Sequence, residues 1–134
     1  MKKVITMVGT SLFDNCFEKN NDIKEHYYDD YNALKEKRSK NWNDEIDSIK
    51  EIMKATKKWI ESERDKSNIS AEIKSLVKLK EELEDELEIY LLCSDTILSK
   101  LAGEILKEVI PSIEDLGIKN QDDVKLRVIE GLQV

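Results

Sequence analysis

Two short hydroxyl-rich turns stand directly behind apolar runs: Gly9-Thr10-Ser11 after Val4 to Val8, and Ser94-Asp95-Thr96 after Ile89 to Cys93. In the first, glycine permits a tight turn close to a ligand, and the Thr and Ser hydroxyls can donate to phosphate oxygens without net charge. In the second, two more hydroxyls flank Asp95, whose carboxylate suits a ribose or adenine contact. Each turn also has a plainer reading, in which its hydroxyls cap the following helix and Asp95 sits near the positive helix end. Pairing favours a ligand, because adjacent parallel strands would put both turns on one rim. Asn15 fits a base or sugar edge, and more commonly turn chemistry.

Other chemistries find less support. No GKS or GKT follows Gly9 and no GxGxxG occurs, which counts against a P-loop and ordinary dinucleotide binding. His26 has no Ser or Cys partner nearby in sequence, so a surface or packing role is its stronger reading. Cys16 and Cys93 form no CxxC pair and, with one histidine, make a poor metal site; they read as small buried hydrophobes in a reducing cytosol. Trp42, Trp59, Tyr27, Tyr28 and Tyr31 could stack bases, but at helical spacing such a stripe is usually core or interface. No metal and no cofactor is expected.

The elements that must position the two turns follow from periodicity. Val4 to Val8 has the pattern of a strand buried on both faces. After a polar break around 15–22, Ile23, Tyr27, Tyr31 and Leu34 predict one helix. Trp42, Ile46, Ile49, Met53, Thr56 and Ile60 predict a second, ending near Arg64. Ile73, Leu76, Val77, Leu83 and Leu87 predict a third, behind a capping segment 67–70 and running into the acidic stretch 81–88. A second strand over 89–93 leads into a helix with Ile97, Leu98, Leu101, Ala102, Ile105, Leu106 and Val109, ended by Pro111 and Gly117. A third strand covers 124–129. Strands separated by helices imply parallel pairing through right-handed crossovers. The fold class is therefore α/β: a Rossmann-like, mostly parallel sheet with flanking helices and a helical insertion, 16–66, after the first strand.

The chain has 134 residues, enough for a single domain over 1–134. Charged residues make up 38% of it and the formal net charge is -7, so a grip on long nucleic acid through many phosphates is not expected. A small anion at a local site is still allowed. The apolar stretch after Met1-Lys2-Lys3 is too short for a signal peptide core or a membrane span, so a cytoplasmic protein is expected. Three strands make a thin sheet, which suggests the front part of a longer protein, incomplete at its C-terminal end, or strands supplied by a partner.

The start MKKVITMVGTSLFDN resembles the CARF domain, the CRISPR-associated Rossmann fold of type III antiviral systems. Later stretches agree in order: Ser70 to Leu76 looks like the family's AE-containing helix, IYLLCSDT like its strand and loop, and VIEGLQV like its next strand. The resemblance implies a sensor of cyclic oligoadenylate in which two domains form a homodimer and share the ring across their two-fold axis. It would put Gly9, Thr10, Ser11 and Leu12 at the phosphates and riboses, with Ser94, Asp95 and Thr96 bordering the same pocket. Effectors of the family carry an output domain, and no R-x-x-x-x-H ribonuclease pattern is present here. Some members cleave their own ring by attack of a 2′-hydroxyl, which would make Ser11 a positioning group. The basic partner of that reaction would fall beyond Val134 or on a stretch with no alignable match. A third reading is a helical α/β interaction protein in which both turns are only caps.

Overall fold

The computed structural model describes residues 1–130. Three parallel strands, β1 (Lys2–Val8), β2 (Leu87–Cys93) and β3 (Val124–Val128), form one sheet in the order β1-β2-β3. The register pairs Val8 with Cys93 and Cys93 with Val128, so all three strands end together on one rim. The α/β reading with a parallel sheet and helices is what the chain adopts.

Between β1 and β2 run a short helix α1 (Ser11–Phe13), a π turn (Asp14–Glu18), α2 (Asn21–His26), α3 (Tyr28–Leu34), α4 (Ile46–Ser62) and α5 (Ala71–Leu83). The crossover from β2 to β3 is α6 (Ile97–Val109). Right-handed crossovers that step β1 to β2 to β3 in one direction land on one face of the sheet. Burial agrees: Leu87, Ile89, Leu91 and Cys93 are buried on that face, together with Val8 and Val124. The opposite face presents Ile5 at 69% and Met7 at 48% exposure.

The expectation that the first strand is buried on both faces is thereby corrected, because its odd-numbered residues point away from the helices among the described residues. The second strand starts at Leu87 and the preceding helix stops at Leu83, so Leu87 belongs to the sheet. Glu84 adopts a left-handed conformation (φ 50°), which ends the helix inside the acidic run. The single helix expected over Ile23 to Leu34 breaks at Tyr27 (φ -111°, ψ 19°) into α2 and α3. Much of the expected polar break is helical, because Phe13, Cys16 and Phe17 turn into the core. The helix expected from Trp42 begins at Ile46, behind two 3-10 turns. The third strand ends at Val128, and the last four residues of the VIEGLQV stretch lie outside the described residues.

The helices between β1 and β2 are joined to the rest by apolar contacts. Phe17 stacks on Tyr31 at 4.9 Å between ring centroids, with Phe13 tilted against both. Ile49, Ile52, Ala55, Thr56 and Ile60 form the buried stripe of α4, and the Thr56 hydroxyl donates to the Ile52 carbonyl at 2.8 Å. Helix α6 comes unusually close to the sheet at Gly103, where a side chain would collide with Cys93 and Leu126. No helix is long and apolar enough to cross a membrane among the described residues.

Candidate functional site

The rim where the strands end carries a cleft of about 270 Å³ lined by Val8, Gly9, Thr10, Leu34, Glu36, Ser94, Thr96, Leu98 and Ser99. The two turns singled out in the sequence therefore meet at one opening. A Cβ placed on Gly9 would have no atom within 4 Å, so open space lies in front of the first turn.

The cleft is braced by Ser99, which is buried. Its hydroxyl donates to the Val8 carbonyl at 2.8 Å and accepts from the Ser94 N–H at 2.9 Å. One side chain thus fixes the ends of two neighbouring strands. Thr96 caps α6, accepting from the Ser99 N–H at 3.2 Å, and shares a hydrogen bond with the Ser94 hydroxyl at 3.1 Å. Capping is therefore part of the second turn's work, while Ser94 and Thr96 still line the opening.

The remaining expected residues are placed differently. Ser11 turns toward α5: its hydroxyl donates to the Glu72 carboxylate, 3.1 Å from Oε1 and 3.3 Å from Oε2, and accepts from the Ala71 N–H at 3.0 Å. Leu12 is wholly buried in the core. Asn15 donates to the Ile69 carbonyl at 3.1 Å and ties the π turn to the entry of α5. Asp95 accepts from the Ser39 hydroxyl.

That last contact belongs to a strap, residues 35–39, by which the chain between α3 and α4 crosses the second turn. The Ile97 N–H donates to the Lys37 carbonyl at 2.9 Å, the Ser39 N–H to the Asp95 carbonyl at 3.4 Å, and Arg38 bridges Thr96 in antiparallel fashion. Glu36 on the strap lines the cleft with a left-handed φ of 63°. The Arg38 Nη1 is buried with no hydrogen-bond partner. Sequence reasoning missed Ser99, Glu36, Arg38 and Glu72. Only Glu72 carried a signal, as the acid of the AE pair.

The two cysteines are free and buried, as small hydrophobes are. Burial pushes the Cys16 thiol up to about 12 and the Cys93 thiol up to about 11, with hydrogen bonds to Thr56 and Ser99 working against it. No cluster of His, Cys, Asp and Glu able to hold a metal occurs among the described residues. His26 is exposed and meets the edge of Tyr27 at 4.7 Å. It lines a larger cleft, about 470 Å³, between α2 and α4 with Tyr27, Lys58 and Trp59. The smaller cleft is the stronger candidate, because hydroxyls from two strand-end turns converge there, where open parallel sheets place ligands.

No curated protein matches the chain. The family model described as CRISPR-associated protein (Cas_APE2256) matches residues 67–133, half of the chain, which includes α5 with Glu72, β2, the Ser94-Asp95-Thr96 turn, α6 and β3. The chain belongs to the CRISPR-associated protein family Cas_APE2256.

Proposed function

We propose that this CRISPR-associated protein is a CARF domain that binds cyclic oligoadenylate at the strand-end cleft, shares the ring with a second copy across a two-fold axis, and so regulates an effector. The observation that carries this reading is the convergence of Gly9 and Thr10 with Ser94 and Thr96 on one opening at the carboxyl ends of parallel strands. Its size supports sharing. About 270 Å³ falls below the roughly 300–1,000 Å³ common for whole-ligand pockets, so one chain takes a nucleotide-sized part of a ring. A symmetric pair would repeat the contacts on the other half.

Hydroxyl donors, not net charge, are what the cleft offers a small, locally held anion. The chain carries a net charge of -7, and the cleft offers the hydroxyls of Thr10, Ser94 and Thr96 against one carboxylate, Glu36. A homodimer in the cytoplasm is part of the same proposal. The competing readings are a ring nuclease, in which Ser11 assists attack by a ligand 2′-hydroxyl, and a non-catalytic interaction protein.

An equilibrium titration of the purified chain with cyclic tetra- and hexa-adenylate, followed by chromatography of the same samples, separates them. Saturation at one intact ring per two chains supports the sensor. Linear adenylates ending in a cyclic phosphate make the protein a ring nuclease. Absence of binding to either ring leaves the interaction protein.

A further inference from the structure

The strand order β1-β2-β3 leaves the far side of β1 without a neighbouring strand. A parallel strand turns the N–H and C=O of alternate residues toward one neighbour and those of the residues between toward the other side. Lys2 pairs with Leu87 and its N–H donates to the Glu86 carbonyl at 2.8 Å, so Lys2, Val4 and Thr6 direct their backbone groups to β2. Those of Lys3, Ile5 and Met7 face outward, and no hydrogen bond meets them among the described residues. The side chains agree with an uncovered edge, because Ile5 and Met7 are both exposed.

Sheet edges are commonly blunted by short strands, charged side chains, proline or a bulge. The β3 edge is blunted in this way, being five residues long with Lys125 and Arg127 at alternate positions. The β1 edge is not. It runs seven residues in unbroken register, keeps its lysines at the first two positions, and continues as Val4-Ile5-Thr6-Met7-Val8. An edge of this kind is a template for another strand.

We propose that β1 docks antiparallel on β1 of a second copy, with Ile5 opposite the partner's Ile5 on a two-fold axis normal to the sheet. In that register Lys3 faces the partner's Met7, and every outward N–H and C=O of Lys3, Ile5 and Met7 meets a complement. The neighbouring registers set Met7 opposite Met1 or Lys3 opposite Gly9, both outside the strand. Residues directly opposite one another point to the same face, so the helices of both copies stay on one side and Ile5 and Met7 of both copies form one apolar row on the other. Charge favours the same register. The two Lys3 residues stand four positions out of step, about 14 Å apart at a rise of about 3.4 Å per residue, beyond the Debye length of about 8 Å in physiological salt. The contact is isologous and closes at two copies. It is distinct from the ring-sharing pair, because antiparallel strands send the two strand-end clefts to opposite ends, and it does not rest on the cleft reading.

The test is register-specific cross-linking of the chain in the absence of any ring. Ile5→Cys, Met7→Cys and Lys3→Cys are each treated with oxidised glutathione and read on a non-reducing gel, with the parent chain as control for Cys16 and Cys93, which are buried. Opposite residues of a hydrogen-bonded antiparallel pair have Cα atoms about 5.5 Å apart, inside the range that a disulfide spans. Two copies of position 7, or of position 3, lie about 14 Å apart and outside it. Ile5→Cys should therefore form a covalent dimer at least about tenfold faster than Met7→Cys or Lys3→Cys alone, because pairing raises the effective concentration of that thiol only. An equimolar mixture of Met7→Cys and Lys3→Cys should form the mixed dimer at a rate close to that of Ile5→Cys. All three positions are exposed, so chance collision would link them at similar rates. Similar rates in the three single variants, or a mixture no faster than its members, overturn the pairing. A chain that shows either result and still binds cyclic adenylate loses this contact and keeps the cleft reading.

Discussion

Gly103 on α6 packs directly against Cys93, the last residue of β2, and a Cβ there would collide with the Cys93 sulfur and stand 2.6 Å from Leu126 Cδ1. The contact lies one residue before the Ser94 turn, so the height of α6 over the sheet sets the position of the cleft. Gly103→Ala gains about 1 kcal/mol of helix propensity but overpacks the interface at a cost of about 1–3 kcal/mol. A net loss of stability is expected in urea denaturation. Adding Cys93→Ala removes part of the collision, and the double variant recovers part of the loss; if it does not, the collision is not the cause.

Ser99 is the strut between the strand ends. Ser99→Ala leaves the Val8 carbonyl and the Ser94 N–H without their partner in a buried place. Each unmet group costs about 1–3 kcal/mol, so the loss exceeds that of an ordinary surface substitution severalfold. Amide hydrogen exchange should show the Ser94 N–H losing protection ahead of the middle of β2. Uniform loss along β2 would mean that Ser99 serves overall stability and not the turn.

The legible parts of this molecule were those with a one-dimensional cause. The period of α6, the β-branched run of β1 and the glycine and hydroxyl turns all follow from spacing, and the pairing of the turns follows from parallel connectivity. The illegible parts depend on partners far away in sequence. Ser11 is a candidate cap by sequence, yet it bonds Glu72 and Ala71 some 60 residues on. Likewise, an apolar β1 looks doubly buried unless one knows that both crossovers land on the same face. The left-handed Glu84 and Glu36 also left no signal, because neither position holds glycine.

Ile5 offers a direct check of that one-sided sheet. At 69% exposure it contributes little burial, so Ile5→Thr should shift stability by about 0.5 kcal/mol or less. Leu91 faces the helices and is wholly buried, and Leu91→Ala should cost about 2–5 kcal/mol. Comparable losses at both positions would mean that the outer face is covered in solution.

The buried thiols give a pH dependence of known sign. Burial raises Cys16 to about 12 and Cys93 to about 11, both above the ordinary value of 9.0. Between those limits the folded chain holds more protons than the unfolded one, so their contribution to stability is complete below about 9 and is lost as pH rises toward 11 and 12. Tyr31, raised mainly by burial, acts in the same direction. Stability should therefore fall across that alkaline window, less steeply in Cys93→Ala. At pH 8 a thiol reagent should label the native chain only as fast as it opens, and immediate labelling of either cysteine would contradict the burial.

Glu36 and Arg38 stand on either side of Lys37 on the strap and should act on the proposed anionic ligand with opposite signs. Glu36 lines the cleft, so its carboxylate would repel the phosphates of a ring bound there as proposed. Two like charges at 4 Å in water repel by about 1 kcal/mol, enough for a severalfold effect. Glu36→Gln should strengthen binding of cyclic tetra-adenylate by that factor at low salt, with the gain shrinking as salt rises. Arg38, whose backbone bridges Thr96, keeps a buried, unpartnered Nη1. Arg38→Met should weaken the same binding while leaving the fold as stable or more so, because it removes an unmet donor. Titrations at two salt concentrations, set beside urea denaturation of both variants, read the two effects apart. Weaker binding in both variants, with a matching loss of stability, would show that the strap acts through packing alone and that its charges do not face the ligand.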